Sequence, residues 1–484
     1  MKLLRELIYR IDCESILGNT DISISSIHFN SSQISTNSLF IAIKGVSQDG
    51  HDYILDSIKL GAIAIICEQI PEKKVDGITY VKVKNSSNAM GILSSNYYDN
   101  PSRKLKLIGI TGTNGKTSIA YFLFSLFQKL NIKVGLLSTI EYRVNTLSFP
   151  STHTTPNPIE LNRLLSIMVE EECEFCFMEV SSHGISQNRI SGLQFCVAIF
   201  SNLSRDHLDY HSSFNDYLHV KKSFFDSLSA NTKSIINIDD PYGKTMVLNT
   251  KSKKIYYTIK NQGHYSGKII ENNLTGLSME LNNSLFSTFL VGEFNAYNLL
   301  AVYATAIELG QTSNSVLKLL SNLSPPSGRF NVIKSIKNIV GIIDYAHTPD
   351  ALNKVILSIS NFCILNQKLI IVIGCGGDRD TGKRSIIGKI AAENSVLTIF
   401  TSDNPRTENP ESIINDMCAD LTDELRKKII KLPNRKTAIA YAVSNAKAKS
   451  VILVAGKGHE KFQEINGVKT PFNDYLTLDK LLKK

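Results

Sequence analysis

LIGITGTNGKTS, residues 107–118, sets a short apolar run directly before a turn of Gly, Thr and Asn that closes on Lys116, Thr117 and Ser118. Such a run reads as a buried strand, and the turn behind it as a phosphate-cradling loop that opens a helix. Backbone N–H groups of Gly112, Thr113, Asn114, Gly115 and Lys116 can point at phosphate oxygens. The Lys116 ammonium can reach the terminal phosphates, and the Thr117 hydroxyl can ligate magnesium. The sequence therefore predicts a binder of ATP or GTP. Strict GxxxxGK[ST] spacing would need glycine at 110, where Ile110 stands, so this is a variant loop whose first glycine is Gly112.

Outward from that loop the chain alternates strand-like and helix-like segments. KVGLL (133–137), FCFMEV (175–180) and FCVAIF (195–200) read as strands, with helices after Lys116, from Pro158 and through Phe224. This alternation predicts an α/β fold with a largely parallel sheet covered by helices on both faces. Residues 250–292 are polar and glycine-marked and read as hairpins, and helix returns from Asn295 to Leu309. SPPSGR (324–329) cannot continue a helix through two prolines and marks a boundary. Beyond it NIVGIIDY (338–345), LIIVIGCGG (369–377), VLTIFTSDN (396–404) and SVILVAGKG (450–458) read as strands that end in Gly, Asp, His or Asn. Upstream, LFIAI (39–43) and AIAIIC (62–67) flank a helical YILDSIKLGA in a smaller α/β block. Three domains are expected, at residues 1–101, 102–328 and 329–484, in line with a length of 484 residues. Ligand-facing groups gather at the carboxyl ends of parallel strands, which places a cleft between the second and third domains.

Composition narrows the function. With 43% hydrophobic and 20% charged residues, each domain can bury a core. The net charge of +9 is scattered, with no dense basic run before the last few residues, which favours an anionic small substrate over nucleic acid. MKLLRELIYRID lacks the apolar core of a signal peptide, and no apolar stretch approaches the ~18 residues of a membrane helix, so a cytoplasmic protein is expected. The eight cysteines, Cys363 among them, show no pairing pattern. Cys173 and Cys176 form a lone CxxC without a second pair for zinc, and buried free thiols are expected.

Several clusters carry chemistry. In MEVSSHG (178–184), Glu179 ends an apolar strand, where a carboxylate is costly to bury without a cation and could ligate magnesium; a solvated strand end is the equal alternative. In NLSRDHLDYH (202–211), His207 and His211 could clasp zinc if they lay on a helix, but HxxxH without the Glu of HExxH is a weak signal, and the preceding strand aims His207 at the nucleotide. In YLHVKKSFF (217–225), Lys221 and Lys222 interrupt a helix, and taken alone they read as surface lysines. Arg379 in GCGGDRDTGKR (374–384) and Arg406 in SDNPR (402–406) offer planar forks for carboxylates, and GKGHE (456–460) ends the last strand. An amino acid with more than one carboxylate is the natural ligand.

Taken together, TGTNGKTS, HTTP (153–156), MEVSSHGISQNR, NLSRDHLDYH, GEFNAYN (292–298), PPSGRF, DYAHTPD (344–350), GCGGDRDTGKR, DNPR and GKGHE resemble the Mur ligases of peptidoglycan synthesis. The resemblance implies an N-terminal domain for a UDP moiety, a central P-loop ATPase domain and a C-terminal Rossmann-like domain for an incoming amino acid. By position, Ser31 and the loop of Val46, Ser47 and Gln48 would contact the uridine nucleotide. His153, Thr154, Thr155, Ser181, Gln187 and Arg189 would hold the muramoyl dipeptide. Glu179, His207 and Lys221 would join Thr117 around magnesium, with Lys221 carbamylated, since carbon dioxide turns a cationic amine into an anionic ligand. Asn298, Arg329 and Asp344 match nucleotide-contacting positions, and Asn295 and His347 match them less closely.

DNPR, comprising Asp403, Asn404, Pro405 and Arg406, is the family's signature for meso-diaminopimelate; lysine-adding relatives lack this arginine. Arg379, Gly456 and Glu460 would complete that pocket, Glu460 pairing with an amino group. The activity implied is ATP-dependent ligation of meso-2,6-diaminopimelate to UDP-N-acetylmuramoyl-L-alanyl-D-glutamate through an acyl phosphate, by a monomer with no nucleic-acid or membrane partner. The rivals are an L-lysine-adding Mur ligase, a folylpolyglutamate synthase-like ligase and, in another class, a nucleotide switch. Two departures touch substrate contacts: Asn30, Ser31 and Ser32 stand where the family shows DSR, and His153 where Asn is common.

Overall fold

The computed structural model describes residues 1–45, 48–362 and 368–483. Val46, Ser47 and Cys363 lie outside them. The chain forms three main sheets in succession. The first has five strands in the order Cys13–Leu17, Thr79–Val83, Ala62–Cys67, Ser38–Ile41 and Ser26–His28, parallel except at the first pair. One of its helices, Ser86–Tyr97, packs against the helix Pro158–Glu170 that follows in the chain.

The second sheet has eleven strands, and Lys106–Thr111 sits near its middle. This strand runs parallel between Phe175–Glu179 and Val197–Phe200. It is apolar on both faces because helices cover both, as parallel sheets require. On one side lie Lys116–Lys129 and Glu293–Glu308, with Phe127 set 4.8 Å from Phe175 and 5.2 Å from Phe177. On the other lie Pro158–Glu170 and Phe214–Asp226. The stretch read as hairpins begins with a parallel strand, Lys253–Thr258, before the antiparallel meander of Tyr265–Asn273, Gly276–Leu281 and Ser284–Thr288. At the opposite edge stands the hairpin Glu141–Val144 and Leu147–Pro150, which buries Tyr142 and Val144 alternately with exposed or half-exposed neighbours.

The third sheet has six strands in the order Asn331–Lys334, Val340–Asp344, Val451–Ala455, Leu369–Ile373, Leu397–Phe400 and Ile429–Lys431, parallel after the first pair. Beneath it Arg435 and Asp474, both fully buried, form a two-pronged ion pair with 2.8 Å contacts at both nitrogens. The same guanidinium donates to the Ala455 carbonyl at 2.8 Å, so the pair joins two helices to the central strand. Asp474→Ala strands a buried cation and is expected to cost about 3–5 kcal/mol. An early urea transition that includes the C-terminal sheet checks this; an unchanged midpoint contradicts it.

Two local expectations change. The helix Phe214–Asp226 runs unbroken through Lys221 and Lys222, and both are buried. His207 and His211 lie in turns, with His207 at φ +55°, so the pair is not on a helix and the zinc clasp is lost. Cys173 and Cys176 are buried free thiols. Among the described residues no helix is long and apolar enough to cross a membrane.

Candidate active site

The loop after the central strand is held open by its glycines. Gly112 lies at φ +146°, and a Cβ there would sit 2.0 Å from Ser201 Oγ. Ser201 Oγ donates to the Asn114 carbonyl at 2.6 Å, and Asn202 receives the Asn114 N–H at 3.0 Å, so the neighbouring strand end clamps the loop's far side. Gly112→Ala must break that clamp or strain the backbone, and is expected to weaken ATP binding about tenfold or more by calorimetry. Binding within twofold of the parent would contradict this reading of the loop.

Three basic side chains converge on the loop. Lys116 Nζ donates to the carbonyls of Gly112 and Thr113 at 2.8 Å each. Lys221, which is 1% exposed, reaches the Gly112 carbonyl at 3.0 Å. Arg329 comes from beyond the diproline boundary to donate to Thr117 Oγ1 at 3.1 Å, while its guanidinium lies 4.4 Å over the Tyr345 ring. Burial pulls both lysines below their usual value, Lys221 far below; Lys116 adds to its depression. Opposite them Glu179, 1% exposed, accepts the Thr139 N–H at 2.7 Å through Oε1, while its Oε2 is buried without a partner. Burial pushes the His207 imidazole down to about 3, so the ring is neutral and able to coordinate.

The third sheet faces these groups across a cavity of about 470 Å³. Asp344 ends its strand buried, accepting from the N–H groups of Phe330 and Ala346 at 2.7 Å each, and burial pushes its carboxyl up to about 6. Arg406, at φ +52°, points Nη1 at the Gly377 carbonyl, 2.5 Å away. Arg379 reaches across to Asp209 at 3.8 Å, and Lys383 to Asp206 at 3.8 Å. Asn114 in the phosphate loop donates to Asp350 at 2.9 Å. Phosphate-type donors and carboxylate receptors therefore share one cleft.

Comparison with known proteins gives this arrangement its family. Residues 23–98 match the family description "Mur ligase family, catalytic domain", residues 110–306 "Mur ligase middle domain" and residues 328–458 "Mur ligase, glutamate ligase domain". The chain belongs to the Mur ligase family. It is 46% identical over 99% of both chains to a Cytophaga hutchinsonii protein named UDP-N-acetylmuramoyl-L-alanyl-D-glutamate--2,6-diaminopimelate ligase. It is 47% identical over 98% of both to a Bacteroides thetaiotaomicron protein of the same name. A solved structure titled as that ligase superposes with a TM-score of 0.69 at 27% identity, covering 99% of this chain and 98% of the other.

For a Mur ligase, the cleft gathers most of the residues expected from the sequence. Thr113 to Thr117, His153, Thr154, Glu179, Ser181, Arg189, His207, Lys221, Arg329, Arg379, Asp403, Asn404, Arg406, Gly456 and Glu460 all line it. Others stand behind: Thr155 is fully buried and donates to the Glu179 carbonyl at 2.8 Å, and Gln187 accepts from Arg189 Nη2 at 2.6 Å. Asn298 and Ser118 are buried along their helices, and Pro405 is buried beside Gly377. Ser31 and Gln48 belong to the first sheet's loops and do not line the cleft; Asn30 caps the Ser31–Gln33 turn by accepting from Ser32 N at 3.1 Å. Residues not singled out beforehand are Lys383, Lys457, Asp350 and Arg384. All four sit inside quoted motifs, but their partners are remote in sequence. Arg384 is buried against Glu408 and Asp416, at 2.7 and 2.9 Å, and shapes the glycine loop instead of facing the cleft.

Among the described residues no three His, Cys, Asp or Glu side chains converge on one point. Glu179 and His207 could therefore supply only part of a magnesium shell, the remainder falling to groups such as the Thr117 hydroxyl, water and phosphate oxygens. The orphaned Glu179 Oε2 fits such a cation.

Proposed function

We propose that this Mur ligase joins meso-diaminopimelate to UDP-N-acetylmuramoyl-L-alanyl-D-glutamate at the expense of ATP, as a cytoplasmic monomer. The observation that carries the reading is that Arg406 and Glu460 face the same cavity as Lys116. A γ-carboxylate oxygen of the D-glutamyl residue attacks the γ-phosphorus of ATP, the bond to the β,γ-bridging oxygen breaks, and ADP leaves. The diaminopimelate amine then attacks the acyl carbon, loses a proton, and expels phosphate through a tetrahedral intermediate.

Lys116 supplies positive charge where the phosphoryl oxygens gather it, and the loop N–H groups hold those oxygens in place. Thr117, Glu179, His207 and carbamylated Lys221 would hold magnesium, which neutralises phosphate charge when bound. Arg189 and His153, which line the same cavity, would hold the muramoyl dipeptide. Arg406 pairs with the distal carboxylate of diaminopimelate, which L-lysine lacks.

Purified protein with ATP, magnesium and the UDP-muramoyl dipeptide should release phosphate only when diaminopimelate is added. Release that ignores the amino acid would sink the ligase reading. Arg406→Ala should raise the KM for diaminopimelate about a hundredfold, since a desolvated charged contact is worth about 2–5 kcal/mol, with the KM for ATP within about twofold. Steady-state kinetics with each substrate varied in turn measures both; an equal rise in the two constants would deny Arg406 this role.

A further inference from the structure

The third sheet brings one more cation to the cleft, and the reaction as described does not use it. Lys383 closes the turn Thr381–Lys383 and stands at the start of the helix Arg384–Glu393. The turn is braced on both sides. Asp380 accepts the Gly382 N–H at 2.9 Å, and the buried Arg384 beside Lys383 is held by Glu408 and Asp416 at 2.7 and 2.9 Å. It also rests on the second domain, since a Cβ at Gly382 would lie 3.2 Å from Arg205 Nη2.

The other enclosed lysines of the cleft have oxygens to bond. Lys116 and Lys221 donate to loop carbonyls, and Lys457 donates to Glu460 and Asn404. Lys383 differs. Its side chain is 12% exposed and lines the cleft, yet the one carboxylate within 4 Å among the described residues is Asp206, whose Oδ1 lies 3.8 Å away, beyond hydrogen-bond reach. That oxygen already accepts the His207 N–H at 2.9 Å. An enclosed ammonium without acceptors is costly unless a ligand supplies the oxygens. The place of Asp206 says which ligand. The chain before it runs along the phosphate loop, with the Thr113 N–H donating to the Asn202 carbonyl at 2.8 Å and the Ser204 N–H to Thr113 Oγ1 at 3.0 Å. Lys383 therefore reaches the phosphate side of the cleft, while Arg379 turns to Asp209 and Arg406 to the Gly377 carbonyl.

We propose that Lys383 is a catalytic residue of the phosphoryl-transfer step, donating to a non-bridging oxygen of the phosphoryl group as it passes from ATP to the substrate carboxylate. This rests on the reading under "Proposed function". As the carboxylate oxygen bonds to the γ-phosphorus, the bond to the β,γ-bridging oxygen breaks, ADP keeps that electron pair, and the Lys383 protons stay on nitrogen. Lys116 meets the phosphates from the loop and Lys383 meets the moving group from the other wall. The cation belongs to the third domain, so that domain takes part in forming the acyl phosphate before any amino acid reacts.

The test leaves the amino acid out. With the full chain, ATP, magnesium and the UDP-muramoyl dipeptide, hydroxylamine traps the acyl phosphate as a hydroxamate, and Lys383→Met should slow its formation about a hundredfold. Inorganic phosphate used as an inhibitor probes the same contact. Its inhibition constant should rise about tenfold in Lys383→Met, with that of ADP within about twofold. Were Lys383 only a tie between domains through Asp206, the two inhibitors would weaken by the same factor. Should Lys383→Met not fold, Lys383→Gln, which keeps a neutral donor beside Asp206, is expected to show the same losses. Hydroxamate formation within about threefold of the parent overturns the inference, as does an equal weakening of phosphate and ADP. Parent enzyme that forms no hydroxamate would instead overturn the ligase reading itself.

Discussion

Lys221→Ala is expected to slow ligation about a thousandfold, and Lys222→Ala to leave it within about twofold. The two lysines are adjacent, yet the helix turns them to different tasks. Lys221 is enclosed against the phosphate loop, 3.0 Å from the Gly112 carbonyl and 4.8 Å from the Tyr217 ring centre. Lys222 points away and is occupied by both oxygens of Asp226, at 2.8 and 2.6 Å. Losing that pair and the buried lysine stem affects stability, while the phosphate loop keeps its contacts. Phosphate release at saturating substrates measures both, and added bicarbonate should not rescue Lys221→Ala, which has no amine to carbamylate. Equal losses in the two variants, or the reverse order, would mean that the helix presents a different face to the nucleotide.

The second large effect is at Lys116. Its removal should lower turnover about a thousandfold or more, since one preorganised charge facing a developing anion is worth roughly 3–4 kcal/mol in a water-poor cleft. The ammonium is now spent on the carbonyls of Gly112 and Thr113, which hold it at the mouth of the loop. Those two carbonyls lose a donor in Lys116→Ala, so thermal unfolding should be followed beside activity. A variant that folds at the parent temperature and turns over at more than about a tenth of the parent rate would contradict this role.

What the sequence makes legible follows from how local each requirement is. The phosphate loop can be read directly because its glycines and its Lys-Thr pair act within a few residues of one another. Asp344 and the strand ends of the third sheet can be placed because apolar runs end there abruptly. Lys221 cannot be read from its helix alone, since nothing local separates a lysine pressed against Tyr217 from one in solvent. The helical reading of His207 and His211 fails because His207 lies in the left-handed region at φ +55°, with Asp206 accepting its N–H at 2.9 Å, and the one i+4 bond from the His211 N–H to the His207 carbonyl closes a single turn only.

Lys457 meets Asn404 from 53 positions away, and Lys383 meets Asp206 only across two domains, so neither pairing has a local trace. A further signal is local. Asn466 and Gly467, at φ +49° and +76°, form the turn of the hairpin Phe462–Ile465 and Val468–Pro471, and Asn-Gly between alternating residues is the strongest short hairpin cue. That hairpin matters to the site, because the Glu464 carbonyl accepts the Arg406 N–H at 3.1 Å and the Asn466 N–H returns to the Arg406 carbonyl at 2.7 Å. The Arg406 backbone is thus set by a segment about sixty residues further along the chain.

The most direct measurement is the mass of the product formed when the enzyme is given ATP, magnesium, the UDP-muramoyl dipeptide and equimolar meso-diaminopimelate and L-lysine. A single adduct heavier than the dipeptide substrate by diaminopimelate less water, with stoichiometric ADP and phosphate, is the predicted result. A lysine adduct in comparable amount, or ADP formation without any adduct, would contradict it.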